Sequence, residues 1–160
     1  YKTLEEQRTN LETLIKKLLQ PKLDNSSNIF LSLAGSLPKP LKGKITKAYG
    51  EKFGKNSLIS QGLEISAPTG TPAVAIYRGT VVFADWLRGF GLLLIIDHGG
   101  GYMSLYGNAE ILHKSLGELV ETGELVAEAG NSGARKETGI YFEIRHQGEA
   151  VDPLIWINND

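Results

Sequence analysis

Short apolar runs separated by glycine-containing turns fill the chain from Leu41 onward, and this spacing constrains the fold more than any other feature. Nineteen of the 160 residues are glycine, without the three-residue period of a collagen. Many short strands joined by tight turns are typical of a β-sandwich or β-barrel. A chain of this length holds one domain with a hydrophobic core. We therefore expect one mostly β domain over residues 41–160.

The expected strands are bounded by Gly, Pro, Asn and Ser clusters, as in Gly99-Gly100-Gly101 and Gly130-Asn131-Ser132-Gly133. They are Ile45–Tyr49, Gly62–Ser66, Ala73–Tyr77, Thr80–Leu87, Gly91–Asp97, Tyr102–Tyr106, Leu125–Ala129, Ile140–Arg145 and Ala150–Val151.

The first part of the chain has a different pattern, with leucines at helical spacing. Residues 3–19 predict an amphipathic helix that begins with a capping box, Thr3 with Glu6. A helix this short is not stable alone in water, so it either ends an upstream coiled coil or packs on the following domain. We interpret residues 1–20 as the end of a coiled coil and residues 21–40, rich in turn residues and proline, as a linker.

Charge is distributed unevenly along the chain, although the net charge is only −1. Residues 1–56 carry eleven Lys or Arg and five Asp or Glu, whereas residues 57–160 carry six and thirteen. This favours either a solvated basic linker or a basic segment that docks on an acidic domain. The basic stretch has no interleaved aromatic residues, so we expect no nucleic-acid partner.

Several classes of protein are excluded by composition. The absence of cysteine rules out disulfides and thiolate metal sites. No apolar run approaches the roughly twenty residues that span a bilayer. The chain opens on neither methionine nor a signal peptide, so we expect a fragment of a longer protein whose signal peptide lay upstream.

Catalytic motifs are weak when they are considered one at a time. The three histidines, His98, His113 and His146, are far apart in sequence, and we expect structural or surface roles for them. No serine lies in a nucleophile-elbow motif. Glu64 and Glu143 could form an acid–base pair, but two glutamates in strands are weak evidence for one. Glu143 and Arg145 are two residues apart and share a strand face, which favours an ion pair between them instead.

Three segments in this order and spacing are specific: residues 62–72, residues 96–107, and residues 141–145 followed by Val151-Asp152-Pro153. Together they resemble the LytM-type, lysostaphin-like zinc endopeptidase domain. The resemblance covers about residues 37–156 and implies a small antiparallel β core with a groove across one face. Active members of that family bind zinc through two histidines and an aspartate, which leave the fourth position open for water.

The ligand positions of this chain do not carry that set. The first histidine position is Ser60, the aspartate position is Glu64, and the His-x-His pair is replaced by Gly139-Ile140-Tyr141. The remaining catalytic histidine position is Asn108, and no histidine lies in residues 56–66 or 134–145. We therefore expect a degenerate site that binds no metal or cofactor, and a protein that is not an enzyme.

Within the family, the chain resembles most the EnvC-type murein hydrolase activators, through residues 83–92, Tyr141–Arg145 with its Gln-Gly turn, and the upstream helix. That branch implies a periplasmic, non-catalytic activator of N-acetylmuramoyl-L-alanine amidases in cell division. The amidase's autoinhibitory helix would bind the groove, peptidoglycan is a second partner, and a division-associated membrane complex would act through the coiled coil. The implied groove residues are Gln61, Glu64, Phe90, Leu93, Tyr106, Tyr141 and Arg145. Gln61 and Glu64 depart from the branch, where a lysine and an apolar residue are usual.

Two further hypotheses concern the same groove. The helix over residues 3–19 would occupy the groove at rest, because its apolar stripe must be buried somewhere. The alternatives to the activator are a peptidoglycan-binding module, a zinc endopeptidase with rearranged ligands, and, last, a lipoyl-like carrier that lacks the expected lysine.

Overall fold

The structure is a computed structural model that describes residues 4–19, 26–54, 58–133 and 137–158. Its helices are α1 (Leu4–Leu18), α2 (Ser26–Ser32) and a 3-10 helix (Pro153–Ile155). Its strands are β1 (Lys44–Lys47), β2 (Lys52–Phe53), β3 (Leu58–Ile59), β4 (Leu63–Ser66), β5 (Pro72–Val74), β6 (Gly79–Leu87), β7 (Gly91–Gly99), β8 (Tyr102–Leu112), β9 (Leu119–Val120), β10 (Leu125–Ala129), β11 (Gly139–His146) and β12 (Glu149–Val151).

The strands form one large antiparallel sheet and a small hairpin. The large sheet has the order β1-β4-β11-β8-β7-β6-β9, with β10 paired to both β5 and β8, and β12 paired to β11. Strands β2 and β3 pair only with each other. The mostly β prediction is confirmed. Strand β8 is longer than expected and β5 is shorter.

The central strand β7 is buried on both faces of the sheet. Leu94 and Ile96 belong to the main core, together with residues of β4, β8, β10 and β11. Leu93 and Ile95 point to the opposite face and join a second, smaller apolar cluster. That second cluster is completed by α1, so the helix covers a sheet face that would otherwise contact water.

Helix α1 packs on this face through two residues one turn apart. Leu11 and Ile15 are each 1% exposed, and they lie against Leu93, Ile95, Met103 and Leu105. Burying each such side chain contributes about 2 kcal/mol. The helix predicted over residues 3–19 is confirmed at Leu4–Leu18, whereas Thr3 of the predicted capping box lies outside the described residues.

The predicted linker over residues 21–40 contains a second helix instead. Helix α2 places Phe30 in the main core, where the ring stacks on Tyr102 at 4.4 Å and on His98 at 5.4 Å between centroids. Trp156 lies on another side of the ring, at 5.9 Å. Seven residues are too few for a helical period to show in the sequence, so α2 depends on this tertiary contact.

No helix in the described part of the chain combines the length and the apolar character needed to cross a membrane.

Phe30→Ala tests whether the aromatic contact fixes α2 to the domain. We expect a loss of about 3–5 kcal/mol in the free energy of unfolding, because the substitution leaves a cavity among well-packed rings. Leu31→Ala is the matched control, since Leu31 is 54% exposed and its truncation should change stability by less than about 0.5 kcal/mol. Urea denaturation of both variants measures the difference, and equal losses would contradict the contact.

His98 should make stability depend on pH. Burial lowers the pKa of His98 to about 4, although its hydrogen bond to the Arg78 carbonyl and the charge of Asp97 act in the opposite direction. The unfolded chain binds this proton below about pH 6.5, and the folded chain does so only below about pH 4. The contribution of neutral His98 to the free energy of unfolding is therefore fully present above pH 6.5, and about 3 kcal/mol of it is lost as the pH drops to 4.

The measurement is the urea midpoint of the wild type and of His98→Gln between pH 7 and pH 4. Carboxylates titrate in both proteins, so the slopes are compared rather than the absolute values. The wild type should lose stability more steeply than the variant, and parallel slopes would refute the assignment to His98.

Candidate functional site

Strand β11 supplies the floor of the site, on the face that α1 covers. Tyr141, Glu143 and Arg145 alternate along β11 and therefore point to the same side. Gly62 makes room for them, because a Cβ at this position would lie 2.7 Å from the Glu143 Cγ and 3.1 Å from the Tyr141 ring. Only glycine fits at residue 62 without displacing these side chains.

Arg145 is the centre of the hydrogen-bond network. Its Nε donates to the Glu143 Oε1 at 2.7 Å, and both side chains are 1% exposed. Its Nη1 donates to the Glu12 Oε1 at 2.9 Å and to the Gly148 carbonyl at 3.0 Å. Its Nη2 donates to the Gln61 Oε1 at 3.3 Å. The ion pair predicted between Glu143 and Arg145 is confirmed.

Electrostatics keep this arginine charged. Burial opposes the charged guanidinium, but the carboxylates of Glu143 and Glu12 outweigh burial and raise the pKa of Arg145. Burial also raises the pKa of Tyr141, as does the neighbouring Glu143, whose carboxylate accepts the phenol hydrogen bond. Tyr141 is therefore a neutral hydrogen-bond donor at physiological pH.

Helix α1 lies across this floor and closes part of the groove. Its Arg8 donates from Nη2 to the Ile59 carbonyl at 2.7 Å, and its Glu12 forms the ion pair with Arg145. The placement predicted for the N-terminal helix, against the groove, is confirmed by these contacts. The apolar pair Leu11 and Ile15 and the acidic Glu12 carry the contact of α1 with the floor.

A cavity of about 680 Å³ remains between the first half of α1 and the floor. It brings together four of the predicted groove residues, two of which also belong to the degenerate site, with two further positions of that site; those six are Gln61, Glu64, Phe90, Tyr141, Ser60 and Asn108. The rings of Phe90 and Tyr141 lie 5.8 Å apart between centroids. The structure therefore assembles most of the predicted groove in one place.

Four predicted residues do not line the cavity, and one of them is Arg145, which lies in the floor beneath Glu12. Leu93 is on the groove face but beneath α1, in the second apolar cluster. The groove position predicted for Tyr106 is wrong, because its side chain points into the main core, where the hydroxyl donates to the Val74 carbonyl. Gly139 pairs with Ser66 at the start of β11 and does not line the cavity.

The residues at the former ligand positions do not fit a zinc ion. The Ser60 hydroxyl donates to the Gly62 carbonyl at 2.9 Å, and Glu64 forms an ion pair with Lys47 at 3.1 Å. The Asn108 amide donates to the Ser132 carbonyl at 2.8 Å. These polar groups already have protein partners, and they offer no imidazole. Over residues 4–19, 26–54, 58–133 and 137–158, no cluster of three His, Cys, Asp or Glu side chains could hold a metal.

None of the three histidines lines the cavity. His98 is bonded to Ser104 in the core, His146 stacks on Tyr102, and His113 contacts Glu128 at 2.6 Å.

Sequence reasoning missed several residues at this site. Glu12, on the chain's own helix, is the second carboxylate on Arg145, and Lys47 and Phe53 form one wall of the cavity. Ser132 fixes the turn beside Asn108 by donating to the Ala109 carbonyl at 2.6 Å. Only the helical stripe around Glu12 gave a signal in the sequence, since the other contacts are long-range.

Comparison with protein families gives a match to the family described as Peptidase family M23 over residues 58–153, more than half of the chain. The chain belongs to this family. The matched segment contains the floor of the groove and the degenerate ligand positions.

Curated relatives include two proteins named as murein hydrolase activators. EnvC of Escherichia coli is 42% identical over 118 residues, which cover 74% of this chain and 28% of EnvC. NlpD of Escherichia coli is 33% identical over 119 residues, which cover 74% of this chain and 30% of NlpD. The chain thus spans less than a third of the length of either relative.

Solved structures confirm the LytM-type fold. The catalytic domain of lysostaphin from Staphylococcus simulans superposes with a TM-score of 0.65 at 21% identity, covering 80% of this chain and 94% of that domain. A putative M23 peptidase from Pseudomonas aeruginosa superposes with a TM-score of 0.74 at 21% identity and covers 99% of this chain and 63% of its own.

The hold of α1 on the sheet can be measured by limited proteolysis. Leu11→Asp puts a charge into the buried cluster beneath the helix, so we expect α1 to leave the sheet. Trypsin should then cleave after Arg8, which is bonded to Ile59 in the wild type, at least about tenfold faster. Thr13→Asp is the matched control, since Thr13 is exposed on the same helix. Equal cleavage rates for the two variants would show that Leu11 does not hold α1.

Proposed function

We propose that this chain is a non-catalytic activator of peptidoglycan N-acetylmuramoyl-L-alanine amidases, which binds the amidase's autoinhibitory helix in the groove over β11. The observation that carries the proposal is the occupancy of that face: an amphipathic helix packs on the groove face beside the degenerate ligand positions, and its first half borders the cavity that they line. The floor offers apolar surface and a buried arginine, which suit a helix, and it lacks the imidazoles of zinc chemistry.

The names of the relatives support the same function. EnvC and NlpD of Escherichia coli are each described as a murein hydrolase activator. Because the chain covers under a third of each, the activity of the whole protein is part of the proposal. Periplasmic location, a role in cell division and direct contact with peptidoglycan belong to it as well.

Activation would follow from a shift in the amidase between two states. In the resting amidase, a helix blocks the active site. Binding of that helix in this groove favours the open state by the difference in free energy between the two complexes. No bond is made or broken by this chain, so its own residues need only bind and orient the helix.

Helix α1 would then be a competitor built into the activator. It belongs to the same chain as the groove, so its effective concentration there is far higher than that of a partner in solution. An upstream event must draw α1 away before the amidase helix can bind. A division-associated membrane complex acting on an upstream coiled coil is the proposed source of that event.

Dye release from labelled peptidoglycan tests the proposal. The reaction contains this chain alone, a resting amidase alone, or both, and a further set uses the variant Leu11→Asp/Ile15→Asp. We expect release only from the mixtures, and about tenfold more with the variant than with the wild type, because the groove is uncovered. Lys16→Asp is the control, since Lys16 is exposed on α1 and should leave the wild-type rate unchanged.

Each alternative gives a different result in this experiment. Release by the chain alone would indicate a zinc endopeptidase with rearranged ligands. Absence of release, combined with sedimentation on purified sacculi that survives Tyr141→Ala, would favour a peptidoglycan-binding module. Either result would refute the activator.

A further inference from the structure

We infer that the partner helix carries a four-residue pattern that α1 itself displays: a basic residue, an apolar residue three positions later, an acidic residue at the fourth and an apolar residue at the seventh. In α1 these are Arg8, Leu11, Glu12 and Ile15. The inference rests on the proposed function and specifies the chemistry of the occupant. The spacing places all four side chains on one face of a helix.

The two apolar positions follow from the sheet face beneath α1. Leu11 and Ile15 fill the space above Leu93 and Met103 so completely that each is 1% exposed. An occupant with polar residues at these positions would bury groups without hydrogen-bond partners. The partner therefore needs two apolar residues four positions apart.

The acidic position follows from Arg145. Glu143 takes the Nε of Arg145, and Glu12 is the carboxylate on Nη1, which it shares with the neutral Gly148 carbonyl. When α1 leaves, a guanidinium that is 1% exposed loses the carboxylate of Glu12. A helix that supplied no carboxylate here would bury the Nη1 group with one charged partner fewer, which is costly.

For a helix with this order of residues, the position of the carboxylate also fixes the direction of binding. Glu12 directly follows the first apolar anchor, Leu11, and precedes the second, Ile15, by three residues. A helix that ran in the opposite direction would place its acidic residue on the other side of the apolar pair. We therefore expect the partner helix to run parallel to α1.

The basic position contributes less. Arg8 donates to the carbonyl of Ile59, on the hairpin of β2 and β3 at the rim of the groove. The bond is exposed, so it aligns the first turn of the helix more than it adds affinity.

The test uses the full chain with Leu11→Asp and Ile15→Asp, so that the groove is uncovered and nothing is deleted. A fluorescein-labelled peptide of residues 4–18 is added in trans, and binding is followed by anisotropy. We expect the wild-type peptide to bind, and the Glu12→Gln peptide to bind about tenfold more weakly, because it loses the hydrogen bond between two charged groups. The Arg8→Gln peptide should lose about two- to threefold.

The matched control is a Lys16→Gln peptide, which neutralises a charged side chain at an exposed position of the same helix and should bind within about twofold of the wild type. Arg145→Lys in the receiving chain should reduce the difference in affinity between the wild-type and Glu12→Gln peptides, since lysine cannot reproduce the forked geometry. A melting transition confirms that each receiving chain is folded.

Equal affinity of the wild-type and Glu12→Gln peptides would overturn the pattern, and so would failure of the wild-type peptide to bind a folded receiving chain. The outcome is independent of the dye-release experiment. A positive peptide result with no amidase activation would mean that the groove recognises the pattern on a partner other than an amidase.

Discussion

The buried guanidinium of Arg145 joins α1 to the floor of the groove, because its donors reach three separate segments of the chain. It is held by Glu143 on its own strand, by Gln61 before β4 and by Glu12 on α1. A charge that is only 1% exposed beneath α1 is costly there unless it is paired. The position of α1 and the requirements for any replacement both follow from this constraint.

Much of the β domain could be predicted from the sequence, because its signals are local. Glycine-rich turns mark the ends of most strands, and alternation within Ile140–Arg145 identified the pairing of Glu143 with Arg145. The amphipathic stripe of α1 was an equally local signal. It did not decide whether the helix packs in a coiled coil or on the surface of the domain. Replacement of ligands at Ser60 and Tyr141 followed from matching family positions.

The parts that could not be predicted depend on contacts between distant residues. Glu12 and Arg145 are 133 positions apart, and nothing near either residue identifies the other. Helix α2 forms because the ring of Phe30 packs against Tyr102 and Trp156. Its own seven residues are too few to show a helical period in the sequence. Tyr106 was assigned to the wrong face from the family resemblance: it alternates along β8 with Met103 and Leu105, which lie on the groove face, so its own side chain points into the core.

The burial of β7 on both faces makes an empty groove unfavourable. If α1 departed with nothing to replace it, a continuous apolar strip would face water, formed by Leu93, Ile95, Met103 and Leu105. Such a strip adheres to any apolar surface, including that of a second copy of the chain. Departure of one helix and binding of the next are therefore best coupled in a single exchange, so that the apolar strip stays covered.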